Sequence, residues 1–328
     1  MRLIRALPLL LLCVGCAPMS LLITPVPSSR ALVEFEVERD NIWASKKVAI
    51  IDVEGTISGG RGTTLLGAMI DNPVSVFAEK LRKAAKDPQV KAVVLRVNSP
   101  GGGVTASEMM HAELLRFREK TGKPVVTSML DLAASGGYYI ACATDHIVAM
   151  RSTVTGSIGV IMITPDLSGT MSMIGARANV IKSAAMKDAG SPFRSMNAED
   201  RAMFQGIIDS MYERFLEVVQ EGRPDLAPDK LRTLADGSVY TSTQALQNGL
   251  VDEIGDLRHA VSVARNAVGL GDEPITVVTY ARPASYRPNL YAEVPGTVGT
   301  DVNLLKLDLG EALQGGGPQF LYLWAPGW

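Results

Sequence analysis

Three apolar segments, each running into small or glycine-rich residues and then into a helical pattern, constrain this chain more than any other feature. They read KKVAIIDVEGTI from Lys46, KAVVLRVNSPGGG from Lys91 and KPVVTSMLDLAASGG from Lys123. Unbroken rather than alternating apolar residues mark strands covered on both faces, which is the situation in sheets flanked by helices. Amphipathic patterns over residues 74–85 and about 105–120 supply such helices. A short helix over residues 138–143 follows, then strands at HIVAM and SIGVIM. The expected fold class is therefore α/β with a mostly parallel sheet.

The second half reads as more helical. Asn197 can cap a long helix, with Glu199 and Asp200 well placed in its first turn. Its inner face is expected at Met203, Ile207, Met211, Phe215 and Val218. A short helix ending at Gly249 and a last strand at TVVTYA complete the domain. The expected boundaries are a leader over 1–24, a tether over 25–45, one domain over 46–284 and a tail over 285–328. That tail, rich in glycine and proline and ending PQFLYLWAPGW, is either loosely ordered or a docking arm.

The leader carries Arg2 and Arg5, an apolar stretch from Leu7 to Val14, then Gly15 and Cys16. A basic head, an apolar core and a small residue are the grammar of an export signal. Gly15-Cys16 also resembles a bacterial lipoprotein signal, in which Cys16 becomes the lipidated first residue, although Cys13 stands where such signals usually carry leucine. An uncleaved anchor and simple secretion are the alternatives, and all three place the folded region outside the cytoplasm. With Cys13 and Cys16 in the leader, Cys142 is the one remaining thiol, so neither a disulfide framework nor a zinc spacing exists. Cys142 lies in the run YYIACA and reads as a small buried hydrophobe. Net charge is −2, with no basic stripe, which sets nucleic acid aside as a partner. The sequence calls for no cofactor.

Histidine is scarce, at three residues, so a histidine-based catalytic site or metal centre has few residues to draw on. The segment NSPGGG, Asn98 to Gly103, can bring bare backbone N–H groups to a developing negative charge, or be an ordinary strand-to-helix turn. In DLAASGGYYIA, Ser135 stands at a strand-to-helix junction, and the Gly136 N–H follows it. The ordinary role of such a serine is a helix cap, and Ala133 breaks the G-x-S-x-G elbow of the α/β-hydrolases. TVTGSIGVI places Ser157 on the strand after the next turn. KSAAMKDAGSPFR supplies Lys182 and Lys187, which in isolation are solvated charges. A lysine serves as a base only where its surroundings favour the neutral amine.

The order SPGGG, AASGGYY, TGSIGV and K-D-x-G-S-P-x-R resembles the signal peptide peptidase A family of bacterial serine proteases, peptidase family S49, over roughly residues 48–281. The resemblance implies a core of the Clp-protease and crotonase type, built of repeated strand-strand-helix units with a helical C-terminal half. It implies Ser135 as nucleophile, Lys187 as general base, Ser157 as the hydroxyl that orients the lysine, and the Gly102 and Gly136 amides as the oxyanion hole. SAAMKD departs from the glycine and tyrosine more usual before KD, which leaves Lys182 as the alternative base. The resemblance further implies a ring-shaped homo-oligomer whose serine and lysine come from neighbouring subunits. Its substrates would be extended apolar peptides, such as remnant signal peptides, met at the membrane of the bacterial cell envelope. A crotonase-type acyl-CoA enzyme and an inactive membrane-anchored scaffold are the rival readings.

Overall fold

The computed structural model describes residues 31–60, 62–63, 69–282 and 319–324. The leader, with Cys16, lies outside them. In chain order the strands are β1 (Val33–Arg39), β2 (Lys46–Glu54), the short pair β3 (Gly62–Thr63) and β4 (Met69–Ile70), β5 (Val90–Ser99), β6 (Gly101–Gly103), β7 (Val125–Ala134), β8 (His146–Ala149), β9 (Val154–Gly156), β10 (Ile161–Ile163), β11 (Val239–Thr241), β12 (Glu253–Ile254), β13 (Ile275–Ala281) and β14 (Gln319–Leu323). The helices are α1 (Pro73–Lys86), α2 (Val104–Thr121), α3 (Gly136–Ala141), α4 (Ser168–Met173), α5 (Ala198–Gly222), α6 (Pro228–Leu234), α7 (Ser242–Asn248) and α8 (Leu257–Ala267).

The central sheet runs β1-β13-β2-β5-β7-β8-β12, and every pairing from β13 to β12 is parallel. Its strands have two buried faces, and the period of two divides them cleanly. Ala49, Ile51 and Val53 of β2, with Val93, Leu95 and Val97 of β5, face the layer holding α1, α2, α3 and α5. Val48, Ile50, Ala92 and Val94 face the opposite way, onto Leu257, Ala260, Val261 and Ala264 of α8. Each such Val, Ile or Leu side chain contributes about 1.5–3 kcal/mol on burial. This double covering is why the strands read as largely apolar runs, broken in β2 and β5 by the buried Asp52–Arg96 ion pair.

Helix ends follow local chemistry. Asn72 accepts from the Ser75 N–H to cap α1, with Pro73 behind it, and Gly122 ends α2 in the left-handed conformation. Asn197 and Asp200 form a capping box on α5, and Thr241 and Gln244 form another on α7, which Gly249 terminates.

Two expectations change, and a third, left open between two readings, is decided. Residues 33–39, assigned above to a tether, form β1 and pair antiparallel with β13. The inner face of α5 is Phe204, Phe215, Leu216, Val218 and Val219, whereas Met203 is exposed. In the first half of α5 only Asp200 and Phe204 are buried, and the continuous buried face begins at Phe215. Residues 319–323 of the tail form β14, docked between β10 and β6 in a second, three-stranded sheet.

Candidate active site

Ser135 stands between the end of β7 and the start of α3, at φ +50° and ψ −113°. For a side chain with a Cβ this is a strained conformation, costing on the order of 1–3 kcal/mol, which the surroundings must hold in place. Two backbone bonds do so: the Ser135 N–H donates to the Gly156 carbonyl at 2.7 Å, and the Ser135 carbonyl accepts from the Tyr139 N–H at 2.8 Å. The side chain makes no capping bond to α3, so the helix-cap reading fails. Its Oγ is instead buried without a hydrogen-bond partner.

Ser157 is the other non-glycine residue at positive φ among the described residues, also at +50°. It lies just past β9 rather than on a strand, because the chain turns there, and its N–H donates to the Ser238 carbonyl at 2.7 Å. Ala134 is in register with Gly156 across β7 and β9. The two strained serines thus immediately follow the paired ends of adjacent strands, both held in the interior.

The glycine segments meet beside Ser135. A Cβ added to Gly101, at φ +97°, would stand 2.6 Å from the Gly136 nitrogen, and one on Gly136 would stand 2.4 Å from Ser107 Oγ. Neither position admits a side chain, so the SPGGG strand and the start of α3 abut backbone to backbone. Gly101 and Gly136 are thus in direct backbone contact, while Gly102 packs on the Ile57 backbone and Gly103 donates its N–H to the Ile57 carbonyl at 2.8 Å. Backbone amides gathered this closely beside a serine hydroxyl can stabilise an oxyanion formed there.

The strand β14 occupies the edge of that cleft, a placement that sequence reasoning missed beyond its allowance for a docking arm. Tyr322 is in antiparallel register with Gly102, and the Trp324 N–H donates to the Pro100 carbonyl at 2.9 Å. The Tyr322 carbonyl oxygen lies 2.0 Å from the Cβ position of Gly101 and 3.2 Å from that of Gly136. Its ring is fully buried, stacked on Tyr139 at 5.1 Å and tilted against Phe215 at 4.6 Å, with its hydroxyl donating to the Met211 carbonyl. The apolar, aromatic run FLYL was the available signal.

The lysines are placed differently. Lys187 sits in a 3-10 turn over Ala185–Asp188 and is exposed. Because Ser135 Oγ has no partner, the Lys187 amine is not bonded to it within this chain. Lys182 is committed elsewhere: its Nζ donates to the Ala185 carbonyl and to Asp188 Oδ1, both at 2.7 Å. His146 bonds Glu253 at 3.1 Å, away from the two serines, and Cys142 is buried with its thiol pushed up to about 12 by burial. Among the described residues no helix is long and apolar enough to cross a membrane.

The sequence profile of peptidase family S49 matches residues 117–271, which includes Ser135, Ser157 and both lysines. A putative signal peptide peptidase SppA of Enterococcus faecium is 35% identical over 262 residues, covering 78% of this chain and 75% of that protein. The chain belongs to peptidase family S49. Protease 4 of Haemophilus influenzae is 40% identical over 223 residues, 68% of this chain but only 35% of its own length. The chloroplastic serine protease SPPA of Arabidopsis thaliana is 32% identical over 263 residues, 79% of this chain and 38% of that protein. The chain thus spans about a third of the longer S49 relatives and three quarters of the shorter one, and membership in S49 makes it a peptidase, a hydrolase of peptide bonds.

Proposed function

We propose that this chain is a membrane-associated serine endopeptidase that uses Ser135 as nucleophile and Lys187 as general base. The observation that carries the reading is the strained, buried Ser135 with its unpartnered Oγ beside the glycine amides. Neutral Lys187 takes the Oγ proton as Oγ bonds the scissile carbonyl carbon, and the Gly102 and Gly136 amides stabilise the oxyanion, each donor contributing about 3–4 kcal/mol. The lysine then protonates the leaving amine as the C–N bond breaks, and water resolves the acyl-enzyme. Ser157 orients the lysine. Scarcity of histidine is no obstacle to this route.

Lys187 reaches Ser135 of a neighbouring copy in a ring. Supporting this, no residue from 161 to 199 is buried, and that stretch exposes Met173, Ile174, Val180 and Ile181. Apolar exposure of this kind marks an association surface. The substrate is an extended, mainly apolar peptide, with remnant signal peptides the favoured class. It runs along Gly101–Gly103 as β14 does, and β14 is a self-held occupant that the enzyme trims. Identical C-termini on wild type and Ser135→Ala would count against trimming. The leader, through Cys16 or as an uncleaved anchor, holds the domain at the membrane of the cell envelope.

The test compares wild type, Ser135→Ala and Lys187→Ala on casein and on a signal peptide. Both variants lose activity; equal activity in all three proteins sinks the assignment.

A further inference from the structure

The residue after the proposed base is a carboxylate, and this creates a difficulty. A carboxylate within about 4–6 Å of an amine stabilises the ammonium form and raises its pKa, by roughly 1–3 units for a close pair. Lys187 must shed its proton to work, so Asp188 next to it is the wrong neighbour unless its charge is engaged elsewhere.

The structure engages it twice. Asp188 Oδ1 accepts from Lys182 Nζ at 2.7 Å and from Arg194 at 3.0 Å. These contacts, Arg194 first and Lys182 second, hold the Asp188 carboxyl down to about 2. Arg194 also forks onto Asp200, donating to Oδ1 at 3.1 Å and bonding Oδ2. Asp200 is fully buried and closes the capping box of α5, accepting from the Asn197 N–H at 3.2 Å while its own N–H donates to Asn197 Oδ1 at 2.7 Å. The chain of contacts therefore runs from the rigid start of α5, through Arg194, to the turn that carries Lys187. Two cations and two anions cancel within it. Among the described residues Lys187 Nζ has no ion pair or hydrogen bond. The other charges of this stretch are engaged or turned to solvent: Asp166 accepts from Ser168 and Ser195, and Arg177, Glu199 and Arg201 are exposed.

We propose that Arg194, fixed to the buried Asp200 and assisted by Lys182, draws the Asp188 carboxylate away from Lys187 and so keeps that amine free to act as a base. Arg194 is a positioning residue in this account, and Lys182 is a charge partner rather than an alternative base. The inference rests on the reading of Lys187 as general base.

The test is the pH profile of kcat/KM on a peptide substrate for the full-length chain, with Lys187→Ala measured alongside. Arg194→Gln releases Asp188 to pair with Lys187. The acid-limb midpoint then rises by about one unit, activity near neutrality falls about tenfold, and it recovers at alkaline pH. Adding Asp188→Asn to Arg194→Gln removes the released carboxylate and brings the midpoint back to the wild-type value. A residue that only braced α5 would lower activity equally at every pH, with no return in the double variant, and that result overturns the proposal. So does an Arg194→Gln midpoint equal to wild type. If Arg194→Gln does not fold, Lys182→Met removes the other cation without touching the α5 cap, and its midpoint must rise too. An active Lys187→Ala overturns the base assignment itself, a failure distinct from an unshifted midpoint in Arg194→Gln.

Discussion

The two halves of the proposed site are built in opposite ways. Ser135 is 1% exposed, fixed at both ends by backbone bonds and enclosed by β6, β9, β14 and α3. Lys187 rides on a stretch in which Met173 is 89% and Ile181 101% exposed, held by ion pairs rather than by a core. The first half is complete within one chain. The second presents the proposed base and an apolar surface that no described residue of this chain buries. A nucleophile needs a fixed position, which the core enforces. A lysine that completes a neighbour's site instead makes activity conditional on assembly.

The sharpest way to break this contrast is at Ser135. Ser135→Gly removes the nucleophile and also the Cβ that is strained at φ +50°. Activity should fall by at least about three orders of magnitude, while stability to denaturant rises by about 1 kcal/mol, since glycine accepts the backbone without strain. A variant both inactive and less stable would show that the surroundings do not strain the serine. Mixing inactive Ser135→Ala with inactive Lys187→Ala probes the other half. Subunit exchange should restore activity, because some interfaces then pair an intact serine with an intact lysine. No recovery, with mixed assemblies demonstrated by mass spectrometry, would place the pair within one subunit.

A smaller effect is expected at the tail. Because β14 is held along Gly101–Gly103, a chain ending at residue 318 should turn over peptides faster than wild type, by a fewfold. Tyr322→Ala, which deletes the fully buried ring that anchors β14, should raise turnover in the same direction. Turnover of both variants at or below the wild-type rate would show that β14 is a permanent part of the core. The smallest effect is at His111, buried in α2 near Tyr139. Burial, with Arg214 and Arg118 nearby, lowers it to about 4 from an ordinary 6.5. Between those values the unfolded chain binds the proton that the folded chain refuses, so stability rises with pH across that window. His111→Asn should flatten the dependence of melting temperature on pH between 4 and 6.5 relative to wild type.

Much of the core was legible because its strands are covered on both faces, and two-sided burial demands mostly apolar residues at β2, β5 and β7. Edge elements were less legible. The residues of β1 carry charge on their open side, as an edge strand does, and so resembled a tether. The face of α5 was misjudged because periodicity fixes which residues share a side, whereas the length of the underlying core decides how far burial extends. Ser157 was found by its motif but given the wrong conformation.

The sequence by itself determined the α/β architecture, the four motifs in order, and Ser135 as the residue to test. Those follow from local rules: apolar period, glycine at close approaches and charge at helix ends. Only the tertiary structure decided that Ser135 is no helix cap, that both serines are strained, and that Lys182 is spent on Asp188. It alone also set β14 along the glycine cleft. These depend on contacts between residues far apart in the chain, where the backbone of one segment limits the space and the hydrogen bonds left to another.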